Sequence, residues 1–191
     1  MSTAETPVVR PLLLIGLGLV INVLSPRVDG WDVLPDWIGW VLILIGTWVF
    51  GRKLPSGGLM LGAARLALVV AVAQWPPAWQ VIDPVTAASE EVSASEASLL
   101  WALSLPALGW MVLYCLAVAG VSSTEAGTSF WWKYLAAMNA GAAVLPILVY
   151  GADMKGLEGL LGVLILLGLL GATVFSFLHS GRDWAVRRQP S

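Results

Sequence analysis

Asp29, Asp32 and Asp36 stand three and four residues apart, and Trp31, Trp37 and Trp40 crowd around them at the start of a long apolar run. Carboxylates at that spacing converge if the segment is helical or tightly turned. Beside a low-dielectric boundary, three of them could bind a cation or relay protons, with Arg27 as counter-charge. The same residues also have a mechanical use. Pro35 suits the first turn of a helix, where its missing N–H costs nothing. Asp36 then lies near the positive end of the helix dipole and could satisfy free backbone N–H groups, with Asp32 as the alternative cap. The tryptophans suit the headgroup layer, where amphipathic rings anchor. A surface for docking a partner is the third use, and the sequence leaves all three open.

Polar groups inside the apolar runs form a second set. Arg65 lies about two turns into one such run, where it can snorkel toward headgroups or pair with a carboxylate, Glu125 being the natural partner. The same run carries Gly58 and Gly62, then Ala63, Ala67 and Ala71, all at four-residue spacing. Small residues at that interval let helix backbones approach closely, and Arg65 projects from neither stripe. Asn139 and Asn22 are expected to hydrogen-bond across helices. Pro106 and Pro146 each remove one backbone bond and are expected to kink their helices. His179, the only histidine, is placed to meet a helix C-terminus, and the arginine-bearing tail after it reads as a surface segment touching anionic lipid.

Enzyme chemistry finds little to work with. The chain has no HExxH, GxSxG, Walker or glycine-rich nucleotide fingerprint. One histidine and one cysteine exclude multi-histidine metal sites, bis-histidine haem and a dithiol mechanism. No cofactor or metal is expected, and acid–base chemistry would have to rest on the outer aspartates.

The elements that position these residues follow from composition. Of 191 residues 58% are hydrophobic and 12% charged, about half the charge of a soluble domain. That balance places the chain in the membrane class, and a net charge of −2 gives no case for nucleic acid. The expected fold is all-α: a polytopic membrane bundle of six transmembrane helices. They run from about Pro11 to Leu24, Asp36 to Phe50, Gly58 to Trp75, Ser98 to Val121, Phe130 to Tyr150 and Leu157 to Leu178. The first has no small-x-small cleavage site after it and reads as a retained span. The first two are short, so they must thin the bilayer or draw their connecting loop toward hydrocarbon depth.

Arg10, Arg52, Lys53, Lys133, Arg182, Arg187 and Arg188 fall on one side of this arrangement, against Arg27 and Lys155 on the other. Positive residues prefer the cytoplasm, so both termini are expected inside. Residues 1–10 are then a cytoplasmic N-terminus, 11–178 a single transmembrane domain with an acidic outer loop at 76–97, and 179–191 a basic cytoplasmic tail. Within that loop, Asp83-Pro84 is spaced to begin a short helix, and Ser93 with Glu96 has capping-box spacing before the fourth span.

The run Leu34-Pro35-Asp36-Trp37-Ile38-Gly39-Trp40, followed by VLILIG, resembles a feature of certain uncharacterised bacterial multi-spanning membrane proteins, in which it opens a short helix after a brief first span. The resemblance implies a multi-pass protein of the bacterial inner membrane and supplies no catalytic residues. Two functions are compatible with the sequence. One is an accessory or assembly protein that packs its helices against a larger membrane protein or a second copy. The other is a small oligomeric transporter or channel that admits its cargo past the outer carboxylates.

Overall fold

The computed structural model describes residues 10–24, 27–28, 31–32, 36–52, 54, 58–73 and 94–186. Among them are six α-helices: α1 (Pro11–Leu24), α2 (Asp36–Gly51), α3 (Gly58–Ala73), α4 (Ala94–Val121), α5 (Ala126–Pro146) and α6 (Glu158–His179). Between α1 and α2, the two-residue strands β1 (Arg27–Val28) and β2 (Trp31–Asp32) form a short antiparallel ladder. Apart from turns, the described residues are otherwise helical.

Local chemistry sets the helix ends. Pro11 opens α1, and the Arg10 carbonyl accepts from Leu13 N at 3.1 Å, while α1 stops just before the Ser25-Pro26 pair. The α4–α5 corner is held by Ser122, whose hydroxyl bonds the Val118 carbonyl at 2.8 Å, and by Ser129, whose hydroxyl crosses to the Ala119 carbonyl at 2.8 Å. Pro146 cannot donate to the ladder, and α5 widens there into a π turn over Ile147–Gly151. The Trp101 indole reaches across from α4 to bond the Ala143 carbonyl at 2.9 Å. Pro106, by contrast, is carried within an α4 that stays helical on both sides of it.

The helices form a closed ring. Each packs on the next in sequence, and α6 returns to α1. Close contacts show neighbours running in opposite directions: Gly18 meets Gly39 and Gly46 meets Pro11 across α1–α2, Gly62 meets Leu113 across α3–α4, and Gly171 meets Leu135 across α5–α6. Gly16 of α1 lies against the Phe177 ring of α6, so the chain starts and finishes its helices at the same end. Arg10, Arg52 and Arg182 lie at that end, called here the basic end.

Lengths divide the ring in two. α4, α5 with its π turn, and α6 are long and apolar enough to cross a membrane. α1, α2 and α3 have 14, 16 and 16 residues, about 21–24 Å at 1.5 Å per residue. That is shorter than a hydrocarbon core of about 30 Å.

A column of rings fills the centre. Trp40 of α2 meets Trp110 of α4 edge-on at 5.6 Å, and Trp110 stacks on Tyr114 at 5.1 Å. Tyr114 meets Trp132 of α5 at 5.5 Å, and Trp132 meets Phe175 and His179 of α6, each at 5.9 Å. Trp110, Tyr114 and Trp132 are 0% exposed. Edge-on and stacked geometries of this kind contribute about 0.5–1.5 kcal/mol per pair beyond simple packing.

Candidate functional site

At the end opposite the basic one, the ladder sets Arg27 across from Asp32 and Val28 across from Trp31. Asp32 therefore lies on a strand, whereas Asp36 is the first residue of α2. A single helix carrying all three aspartates does not form. Asp29 lies outside the described residues, as do Asp83, Glu90 and Glu91 of the acidic loop; α4 begins at Ala94, directly after Ser93.

What fastens this end is Asn22. With its amide turned so that both ends are satisfied, it donates to the Asp36 backbone carbonyl at 2.9 Å and accepts from the Trp40 indole at 3.2 Å. The expectation of a hydrogen bond across helices holds here. It also corrects the view of Trp40 as a headgroup anchor, since the ring is buried and its N–H is used inside the bundle.

The small residues of α3 divide. Ala63, Ala67 and Ala71 are buried in the core, and a Cβ on Gly62 would come 3.3 Å from Leu113. Gly58 is exposed and a Cβ there would touch nothing within 4 Å, so it takes no part in the packing. Arg65 is exposed on the outward face with Leu61, Leu68, Val69 and Val72. It does not pair with Glu125, whose carboxylate is engaged elsewhere.

Asn139 of α5 is 2% exposed. Instead of bridging helices, its amide donates back to the Leu135 carbonyl of its own helix at 2.8 Å. Gly168 of α6 presses on it; a Cβ there would come within 2.9 Å of Asn139 Nδ2. The residue acts by shape, with its polar end satisfied locally.

Among the described residues the densest set of polar groups lies at the basic end, at the foot of the ring column. Glu125 Oε1 accepts from the Trp184 indole at 3.2 Å and lies 3.8 Å from the Arg182 guanidinium. Its Oε2 accepts from the Thr128 hydroxyl at 3.0 Å. Trp184 packs on His179 at 5.8 Å, and the His179 Nδ1–H donates to the Phe175 carbonyl at 2.9 Å. That bond is the helix C-terminus contact expected of this histidine, and it leaves Nε2 of the neutral ring as an acceptor. One turn deeper, the Tyr114 hydroxyl donates to Ser176 Oγ at 2.7 Å, and Ser176 donates onward to the Ala172 carbonyl at 2.6 Å. The Trp132 indole N–H has no hydrogen-bond partner though it is fully buried, a cost of about 1–3 kcal/mol.

The sequence does not suggest this cluster. It presents the segment after His179 as lipid-facing tail, yet Ala185 is 0% exposed and Trp184 packs against the core. Two spacings hint at the rings: Trp110 with Tyr114, and Phe175 with His179, each four apart on one helix face. Glu125 is the latch that holds the tail. Glu125→Ala should free it, so limited trypsin digestion at Arg182 is expected to become several-fold faster, while Glu125→Gln keeps the indole bond and falls between.

The chain matches no protein family, no curated protein and no solved structure. At the basic end Glu125, Thr128, His179, Arg182 and Trp184 are engaged with one another and with backbone carbonyls, an arrangement suited to holding helix ends and tail in fixed register.

Proposed function

We propose that this protein is a multi-pass protein of the bacterial inner membrane that acts as an accessory or assembly factor, packing its helices against a larger membrane protein. The observation that carries this reading is the filled centre of the ring. Transport through a single chain needs a polar path between helices, and here Trp110, Tyr114 and Trp132 occupy that position ring against ring. With the centre filled, the outer surface is what remains for function.

On that surface, Gly159 and Gly162 of α6 are exposed, and a Cβ on either would touch nothing within 4 Å. They sit among the exposed Leu160, Val163, Leu166 and Leu167. Glycine within a helix costs about 0.5–1 kcal/mol relative to alanine. In a membrane such residues allow close approach of a second helix. Six spans with both termini cytoplasmic is the accompanying topology. It is supported by the alternating helix directions and by Arg10, Arg52, Lys133 and Arg182 on the side of the chain termini. The short α1–α3 would be accommodated by local thinning of the bilayer.

The test is purification from the native host in a mild detergent, with identification of proteins recovered in fixed ratio. A larger membrane partner should co-purify with the wild type and be lost from Gly159→Leu/Gly162→Leu at unchanged helicity. A partner-free homo-oligomer would instead favour the transporter or channel reading, and ion flux in liposomes would then decide.

A further inference from the structure

We infer that the cleft between α2 and α3 at the basic end binds one anionic glycerophospholipid, its phosphate held by Arg52 and Arg65. The cleft has a volume of about 140 Å³ and is lined by Thr47, Trp48, Gly51, Arg52, Met60, Leu61 and Ala64. That is close to the roughly 150 Å³ that admits a benzene ring, room for a phosphate or a few methylenes, with the rest of the lipid lying outside the cleft. The two helices meet tightly at its base: a Cβ on Gly51 would come within 2.9 Å of Met60 Cβ.

Charge identifies the occupant. The Arg52 guanidinium lies flat over the Trp48 ring, 3.6 Å from its centroid. A stacked guanidinium keeps its N–H groups free at the edge of the plane, the geometry that grips a phosphate bidentately. No carboxylate among the described residues lines the cleft. Among the described residues neither Arg52 nor Arg65 has an ion-pair partner. Arg65 lies one helical turn beyond Leu61 on the same face of α3, both exposed, so its long side chain can snorkel back toward the cleft mouth. Gly51 ends α2 and Met60 lies in the first turn of α3, which sets the cleft at helix-end depth, where lipid phosphates are concentrated. Met60, Leu61 and Ala64 supply an apolar wall for the chain.

This inference rests on membrane insertion and not on the identity of any protein partner. The experiment uses the full-length protein in detergent, with phosphatidylglycerol, phosphatidylcholine or inorganic phosphate added, read by native mass spectrometry and by melting temperature. Phosphatidylglycerol is expected to leave one retained lipid per chain and to raise the melting temperature, with no rise from phosphatidylcholine or phosphate. Arg52→Gln/Arg65→Gln should lower lipid retention at least tenfold, and Lys133→Gln, an exposed charge elsewhere, should not. Leu61→Trp, which fills the cleft without altering charge, should also abolish retention and covers the case in which the double variant does not fold. Equal retention of the two lipids, or full retention by Leu61→Trp, would overturn the inference. A rise with phosphate alone would overturn the lipid as source. A protein that stays soluble and monodisperse once the detergent is removed would instead count against the membrane reading beneath it.

Discussion

Trp110→Ala is expected to lower the melting temperature in detergent by about 6–12 °C, from a loss of about 3 kcal/mol at 2–4 °C per kcal/mol for a chain of this size. Trp110 is 0% exposed and touches two other rings, Trp40 at 5.6 Å and Tyr114 at 5.1 Å. Its indole also donates to Thr47 Oγ1 at 3.2 Å. Truncating a buried tryptophan in a soluble core costs about 3–5 kcal/mol. In lipid the transfer of apolar surface out of water contributes little, so dispersion and the cavity remain, and the low end of that range applies. Thr47→Val isolates one component. It leaves the ring contacts intact and orphans the buried N–H, a loss of about 1–3 kcal/mol. If Trp110→Ala melted within about 2 °C of wild type, the ring column would not be the core of the bundle, and the argument against a central transport path would fall with it.

The second large effect belongs to Gly39→Ala, set against Gly58→Ala as its opposite. A Cβ at Gly39 would land on the Asn22 side-chain amide and come within 2.7 Å of the Gly18 carbonyl oxygen. One methyl group would therefore push α1 and α2 apart where Asn22 fastens them, with an expected loss of about 1–3 kcal/mol. Adding Asn22→Ala should recover only part of this, because the backbone clash with Gly18 remains. A thermodynamic cycle over the two sites should show a coupling of about 0.5–3 kcal/mol. Gly58→Ala meets open space and should be neutral or stabilising by up to about 1 kcal/mol. Thermal melts of the wild type, the three single variants and the double variant check the set. Gly39→Ala behaving like Gly58→Ala would mean that the α1–α2 seam is loose.

These two glycines show how legibility varies along the chain. Gly58 and Gly62 form a four-residue small-residue pair that the sequence advertises as a packing motif, yet only Gly62 meets a neighbouring helix. Gly18 and Gly39 carry no such signal, yet at both the facing helix leaves no room for a Cβ. Spacing reports which residues share a face of one helix; it does not report which face another helix covers. For the same reason Arg65 could be seen as a charge needing relief, but not that Glu125 is committed to Trp184 and Arg182.

Helix positions were determined by the sequence itself. Lipid-compatible apolar runs must satisfy their backbone groups internally, so α1 begins at Pro11 and ends at Leu24 as the pattern requires, and α2 to α6 follow within a few residues. Only the tertiary structure decided what those helices enclose. The closure of the ring, the column from Trp40 to His179, the role of Asn22 and the buried seat of Ala185 all depend on contacts between residues distant in the chain. In an apolar sequence every face of a helix looks equally fit for lipid or for protein. The choice between them is made by shape when the helices meet.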